Sequence, residues 1–133
     1  MDRMIVVSRT CPPHDQMCFH ALERPLARLR GLLGTSADAE PVALVGCHAI
    51  HTYGMRYRID VAFVERGGLV LGAWCSVPPG RLLDCKGAWI TLERPHSRKR
   101  WLARGERVRL EGTDGRWPAC EKREERKSEG GVK

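Results

Sequence analysis

Apolar residues recur along this chain with two different periods, and the change between them divides it. Leu22, Leu26, Leu29 and Leu33 fall three or four apart, the spacing that lines one face of a helix, while Arg24, Arg28 and Arg30 lie off that stripe. Pro25 fits the first turn of such a helix, where its missing N–H breaks no bond, and Gly34 follows the last leucine as a stop. The pattern predicts one short N-terminal helix over residues 21–33. Ahead of it stand only a brief apolar run over residues 4–7 and a turn signal at Pro12-Pro13.

From residue 41 the period shortens to that of strands. Residues 42–45 are apolar, and 59–64 (IDVAFV) place Ile59, Val61 and Phe63 on one face and Asp60, Ala62 and Val64 on the other. Arg66-Gly67-Gly68 reads as a hairpin connection, because glycine supplies the positive φ that tight turns need. Residues 69–77 form the returning strand, and Pro78-Pro79-Gly80 ends it because proline cannot donate to a ladder. Further strands are predicted over 87–93 and 106–111. The expected fold is mainly β: a small antiparallel β-sandwich or partly closed barrel. A βαβ fold would need repeated helices that the pattern lacks.

Residues 118–133 offer almost nothing apolar to bury beyond Val132, so a single domain over 1–117 is followed by a charged tail expected to be disordered. A chain of 133 residues buries enough surface for one core without metal or disulfide staples. No run approaches the roughly 18 apolar residues of a membrane span and no export signal opens the chain, which points to a cytoplasmic protein without membrane contact. Six cysteines without any CxxC pair are then expected to be reduced thiols, several of them small core residues. No phosphate-binding glycine loop is present, and no cofactor is required by the sequence.

Four blocks carry a resemblance. RLRGLLG (28–34), HTYGMRYRIDVAFVERGGLVL (51–71), AWITLE (88–93) and GERV (105–108) follow one another in an order similar to that of the prokaryotic family known as domain of unknown function 192. That family has a Gly-Leu-Met-Gly-like element, then His-Thr-Phe-Gly-Met or Trp-Met-Lys-Asn-Thr leading into Ile-Asp and an apolar strand. The resemblance spans about 28–110 and implies a compact, mainly β domain of sandwich or barrel kind with no assigned catalytic activity.

Candidate chemistry concentrates in residues 51–60. His51, Thr52, Tyr53, Met55, Arg56 and Asp60 are the expected binding residues of a small-ligand or protein-partner module. An acid on a buried strand face must be paired, and Arg56 and Arg58 are near enough in sequence to do so; Asp60 can equally be a loop cap and His51 a structural histidine. An enzymatic alternative, a hydrolase or transferase, uses His51 as base and Asp60 as its orienter. Cys47, His48, His51 and Met55 offer the sulfur and imidazole that suit copper(I) or zinc, though at no established spacing. Cys11, His14, Cys18 and His20 have similar composition and equally irregular spacing.

Charge adds a second candidate surface. The net charge of +7 comes mainly from residues 41–120, with thirteen bases against seven acids. Arg94, Arg98, Lys99, Arg100, Arg104, Arg107 and Arg109 fall within sixteen residues around Trp101. Cations for phosphate with one aromatic for stacking suit a polyanion- or nucleic-acid-binding adaptor, the alternative being a solvated surface.

Overall fold

The computed structural model describes residues 3–12, 14–24 and 31–112. Among these, nine strands form: β1 Met4–Arg9, β2 Gln16–Leu22, β3 Val42–Val45, β4 Ala49–His51, β5 Ile59–Val64, β6 Val70–Val77, β7 Leu82–Asp84, β8 Ile90–Pro95 and β9 Val108–Gly112. Seven make one sheet in the order β6-β5-β8-β3-β2-β1-β9, and β4 pairs with β7 apart from it. All pairings are antiparallel except β2 with β3. Among the described residues no helix is long and apolar enough to cross a membrane.

The sheet curls into a half-barrel, and its two outer strands meet at one end. Leu69 and Arg107 form a bridge, flanked by Val70 N–H to Glu106 O at 2.9 Å and Val108 N–H to Gly68 O at 2.9 Å. Gly68 is required there: its φ is +97°, and a Cβ would lie 2.1 Å from the Val108 carbonyl oxygen. The mainly β expectation therefore holds, in its barrel-like form.

The predicted helix does not form among the described residues. Ala21 and Leu22, its first residues, belong to β2 and pair with Ala43 and Leu44 of β3, so a long-range ladder prevails over local helical spacing. Residues 31–34 are a turn with Gly31 at φ +52° and Gly34 at +84°, which a helix does not accommodate. Residues 25–30 lie outside the described residues, as does the 118–133 tail.

The strand alternation read over 59–64 places two cores on opposite faces of one sheet. Ala62 and Val64 join Ile5, Val7, Phe19, Ala43, Ile90 and Leu92 on the face the half-barrel encloses. Ile59, Val61 and Phe63 join Val42, Leu44, Leu32, Ile50 and Met55 on the other. This outer face is covered by the 31–34 turn and by β4 with the segment after it, so β3 and β5 are buried throughout. Among the described cysteines only Cys47 and Cys85 pack against a core, the outer one. Cys11, Cys18 and Cys75 are exposed, and Cys47 and Cys85 half-buried; all five are free thiols.

Candidate functional site

Between the outer face of the sheet and its cover lies a cavity of about 340 Å³. Its apolar lining is Leu32, Leu33, Leu44, Ile50, Met55 and Ile59, and its polar lining is Cys47, His48, His51 and Glu93. His48 and His51 are exposed and stand at the mouth. Glu93 is buried, with 4% of its surface exposed. It sits in β8 directly opposite Val42 of β3 and Val61 of β5, so its carboxyl leaves the sheet into the apolar layer. Gly31 packs against it so closely that a Cβ there would lie 2.9 Å from Glu93 Oε1. Burial pushes the Glu93 carboxyl up to about 7, against a hydrogen bond from the Leu32 backbone that pulls it down.

Asp60 points the opposite way from Ile59 and lies on the other face of the sheet, fully buried. It is satisfied four times: by Arg94 Nε at 2.8 Å, Ser76 N–H at 2.8 Å, His96 Nδ1 at 2.8 Å and Ser97 N–H at 3.4 Å. Burial raises its pKa, but the hydrogen bonds from His96, Ser76 and Arg94, with the charge of Arg94, outweigh it and hold the carboxyl below its usual range. Asp60 therefore stays ionised, which makes Nδ1 of His96 the donor. The partner is thus Arg94, not Arg56 or Arg58; Arg58 instead donates to Ser76 O at 2.9 Å, and Arg56 is exposed. A register shift in the β5–β6 ladder, together with Ser76 at φ 57°, presents the Ser76 N–H to Asp60.

The residues expected to act together are thereby separated. His51 and Met55 line the outer cavity, while Asp60 serves the inner face, so His51 and Asp60 do not form a base–orienter pair. Thr52 is fully buried and holds the β4–β7 connection, its Oγ1 donating to Pro78 O and accepting from Arg81 N–H, both at 2.8 Å. Tyr53 is exposed and stacks on His51, with ring centroids 5.4 Å apart.

Neither metal group assembles: among the described residues no three His, Cys, Asp or Glu side chains gather to hold an ion. Cys47 Sγ donates to Ala49 O at 3.1 Å, and His48 Nδ1 lies 3.0 Å from Asp84 Oδ1. No thiol–imidazole pair forms between them, because neighbours on extended chain diverge.

In the basic segment the structure sorts the cations. Arg94 is buried against Asp60 with its guanidinium 4.5 Å from the ring of Trp101. Trp101 is buried too, donating through Nε1 to Val61 O at 3.1 Å, so it has no face free for a base. Arg98, Lys99, Arg100 and Arg104 are exposed.

Sequence reasoning missed Glu93 and His96. A signal for Glu93 existed: it extends the alternation of an apolar strand as an acid, but which face is covered is decided by segments far away in sequence. His96 follows Pro95 in a polar stretch and carries no comparable signal.

No protein-family model matches the chain, and no curated protein matches it. Two solved structures share the fold. A protein from Sinorhizobium meliloti 1021, provisionally described as a transcription regulator, is similar with a TM-score of 0.69 at 15% identity, over 84% of this chain and 94% of that one. A protein of unknown function from Novosphingobium aromaticivorans DSM 12444 gives 0.61 at 14% identity, over 81% and 84%. At such identities the likeness is one of fold alone.

Proposed function

We infer that the chain is a small-ligand-binding module of the domain-of-unknown-function 192 kind, and that its ligand enters the cavity between the 31–34 turn, β4 and β8. The observation that carries this reading is Glu93, a buried carboxyl opening on an apolar cavity of about 340 Å³. A pocket of that size with few polar groups is the usual form of a small-molecule site. Three of the four blocks that resemble the family supply its lining: Gly31 and Leu33 from the first, His51, Met55 and Ile59 from the second, Glu93 from the third. The five free thiols suit a reducing cytoplasm.

The test is a small-molecule library screened by thermal shift, with native mass spectrometry of untagged protein, on wild type and on Leu33→Trp, which fills the cavity from its edge. The expected result is a bound mass or a stabilising compound in wild type that the variant loses. A library that shifts neither protein, with no retained mass, removes the reading.

A second reading, contact with a polyanion, is favoured by the exposed cations Arg98, Lys99, Arg100 and Arg104. The provisional description of the Sinorhizobium protein as a transcription regulator is compatible with it. Such contact would be made through phosphate alone, without stacking on Trp101.

A further inference from the structure

We propose that the cavity takes an organic amine, a molecule with a short apolar body and one ammonium head that pairs with the carboxylate of Glu93. This rests on the reading of the cavity as a ligand site and adds the chemical class. The first support is the charge of the lining. Among the described residues Glu93 is its one acid, no lysine or arginine lines it, and no side chain forms an ion pair with Glu93. A buried carboxylate without a counter-charge is costly, and a ligand ammonium supplies that charge while an anionic ligand would be repelled.

The second support is the shape of the surroundings. Gly31 leaves room for Oε1 where any Cβ would crowd it, and the Leu32 backbone donates to the carboxyl. An ionised carboxylate accepts about four hydrogen bonds, so capacity remains for an –NH₃⁺ group. Around it Leu44, Ile50, Met55 and Ile59 offer only apolar surface, suited to a carbon chain or ring. A metal ion is a poorer occupant, because no second and third ligand gather with Glu93 among the described residues.

Amine binding should strengthen as pH rises through about 7, because the empty site holds a proton on Glu93 that the ammonium must displace. The strands beside Glu93 present Val42 and Val61, and the other titratable groups facing the cavity are Cys47, His48 and His51. Glu93→Gln retains those three, so any slope they contribute survives in that variant while the slope due to Glu93 disappears.

The experiment is isothermal titration of the full chain with hexylamine, hexanol and hexanoate at pH 6 and pH 8, on wild type, Glu93→Gln and Leu33→Trp. Expected at pH 8 is an order hexylamine, hexanol, hexanoate, with the amine favoured over the alcohol by about tenfold or more, as charge-assisted bonds are. Glu93→Gln should bring the amine to the level of the alcohol and leave the alcohol unchanged, which also shows that the variant is folded. Hexanoate binding as well as hexylamine, or an amine preference intact in Glu93→Gln, overturns the amine assignment while the cavity reading stands. If none of the three binds wild type any better than Leu33→Trp, the cavity reading falls and the amine with it.

Discussion

Asp60 and Arg94 face one another across β5 and β8 as register partners, with Arg94 Nε 2.8 Å from Asp60 Oδ2 and both side chains almost wholly out of solvent. The contact joins these two neighbouring strands where the inner core gives way to the 96–101 segment, and Arg94 continues from it to Lys99 O at 2.5 Å and onto the ring of Trp101. Removing one partner leaves the other charged and buried. Asp60→Asn should therefore destabilise the domain by roughly 3–5 kcal/mol, measured by urea unfolding at pH 7. A smaller loss in the double variant Asp60→Leu, Arg94→Met than in Asp60→Asn would assign the cost to the orphaned charge; equal losses would assign it to packing.

The same pair sets acid sensitivity. The unfolded chain protonates Asp60 near its usual 3.8, and the folded chain only at lower pH. The stability this contributes is complete above about pH 4 and is lost as pH falls through the folded value. Acid unfolding of wild type should steepen below pH 4, and Asp60→Asn should lack that component.

Glu93 predicts the opposite slope. Its folded pKa of about 7 stands above the usual 4.5, so the folded state holds a proton that the unfolded state has already lost. Stability is then greatest below about 4.5, falls as pH rises towards 7, and levels off above it, by roughly 3 kcal/mol for a shift of this order. Chemical denaturation at pH 5 and pH 8 measures this directly. Glu93→Gln should flatten the difference; a wild type equally stable at both pH values would contradict the placement of a protonated carboxyl.

Closure of the half-barrel depends on Gly68. Gly68→Ala should cost more than about 1 kcal/mol, because the new Cβ meets the Val108 carbonyl in a left-handed turn. Hydrogen exchange should show faster exchange at the Val70 and Val108 amides, which bond across that bridge. Gly80, with φ +88° and nothing within 4 Å of its Cβ position, serves as a control with a smaller loss.

For the basic segment, reversing Arg98, Lys99 and Arg100 to glutamate should abolish any binding of a fluorescent oligonucleotide and flatten its salt dependence. Trp101→Ala should act on stability instead, by roughly 3–5 kcal/mol, because the ring is packed against Phe19 and Arg94. Unchanged affinity after the triple reversal would mark these cations as a solvated surface.

Much of the strand framework could be read from the chain itself. The alternation over Ile59–Val64, the glycine turn after it, the return to Val77 and the later strands to Gly112 all follow from local pattern: β5, between two covered faces, needs apolar side chains on both, while β9 alternates buried Val108 with exposed Arg109 and Glu111. The sequence also singled out His51 and Met55, which do line the cavity. The leucines from Leu22 onward show the limit: their spacing suits a helix, yet Leu22 is claimed by β3 through a parallel pairing across the intervening segment. Local periodicity reports which residues want burial, and it carries no record of what will cover them. Which arginine reaches Asp60, whether Trp101 faces solvent, and that Glu93 ends in a cavity beside Gly31 depend on contacts between residues tens of positions apart. Those were decided by the curl of the sheet and by the segments that close over its outer face.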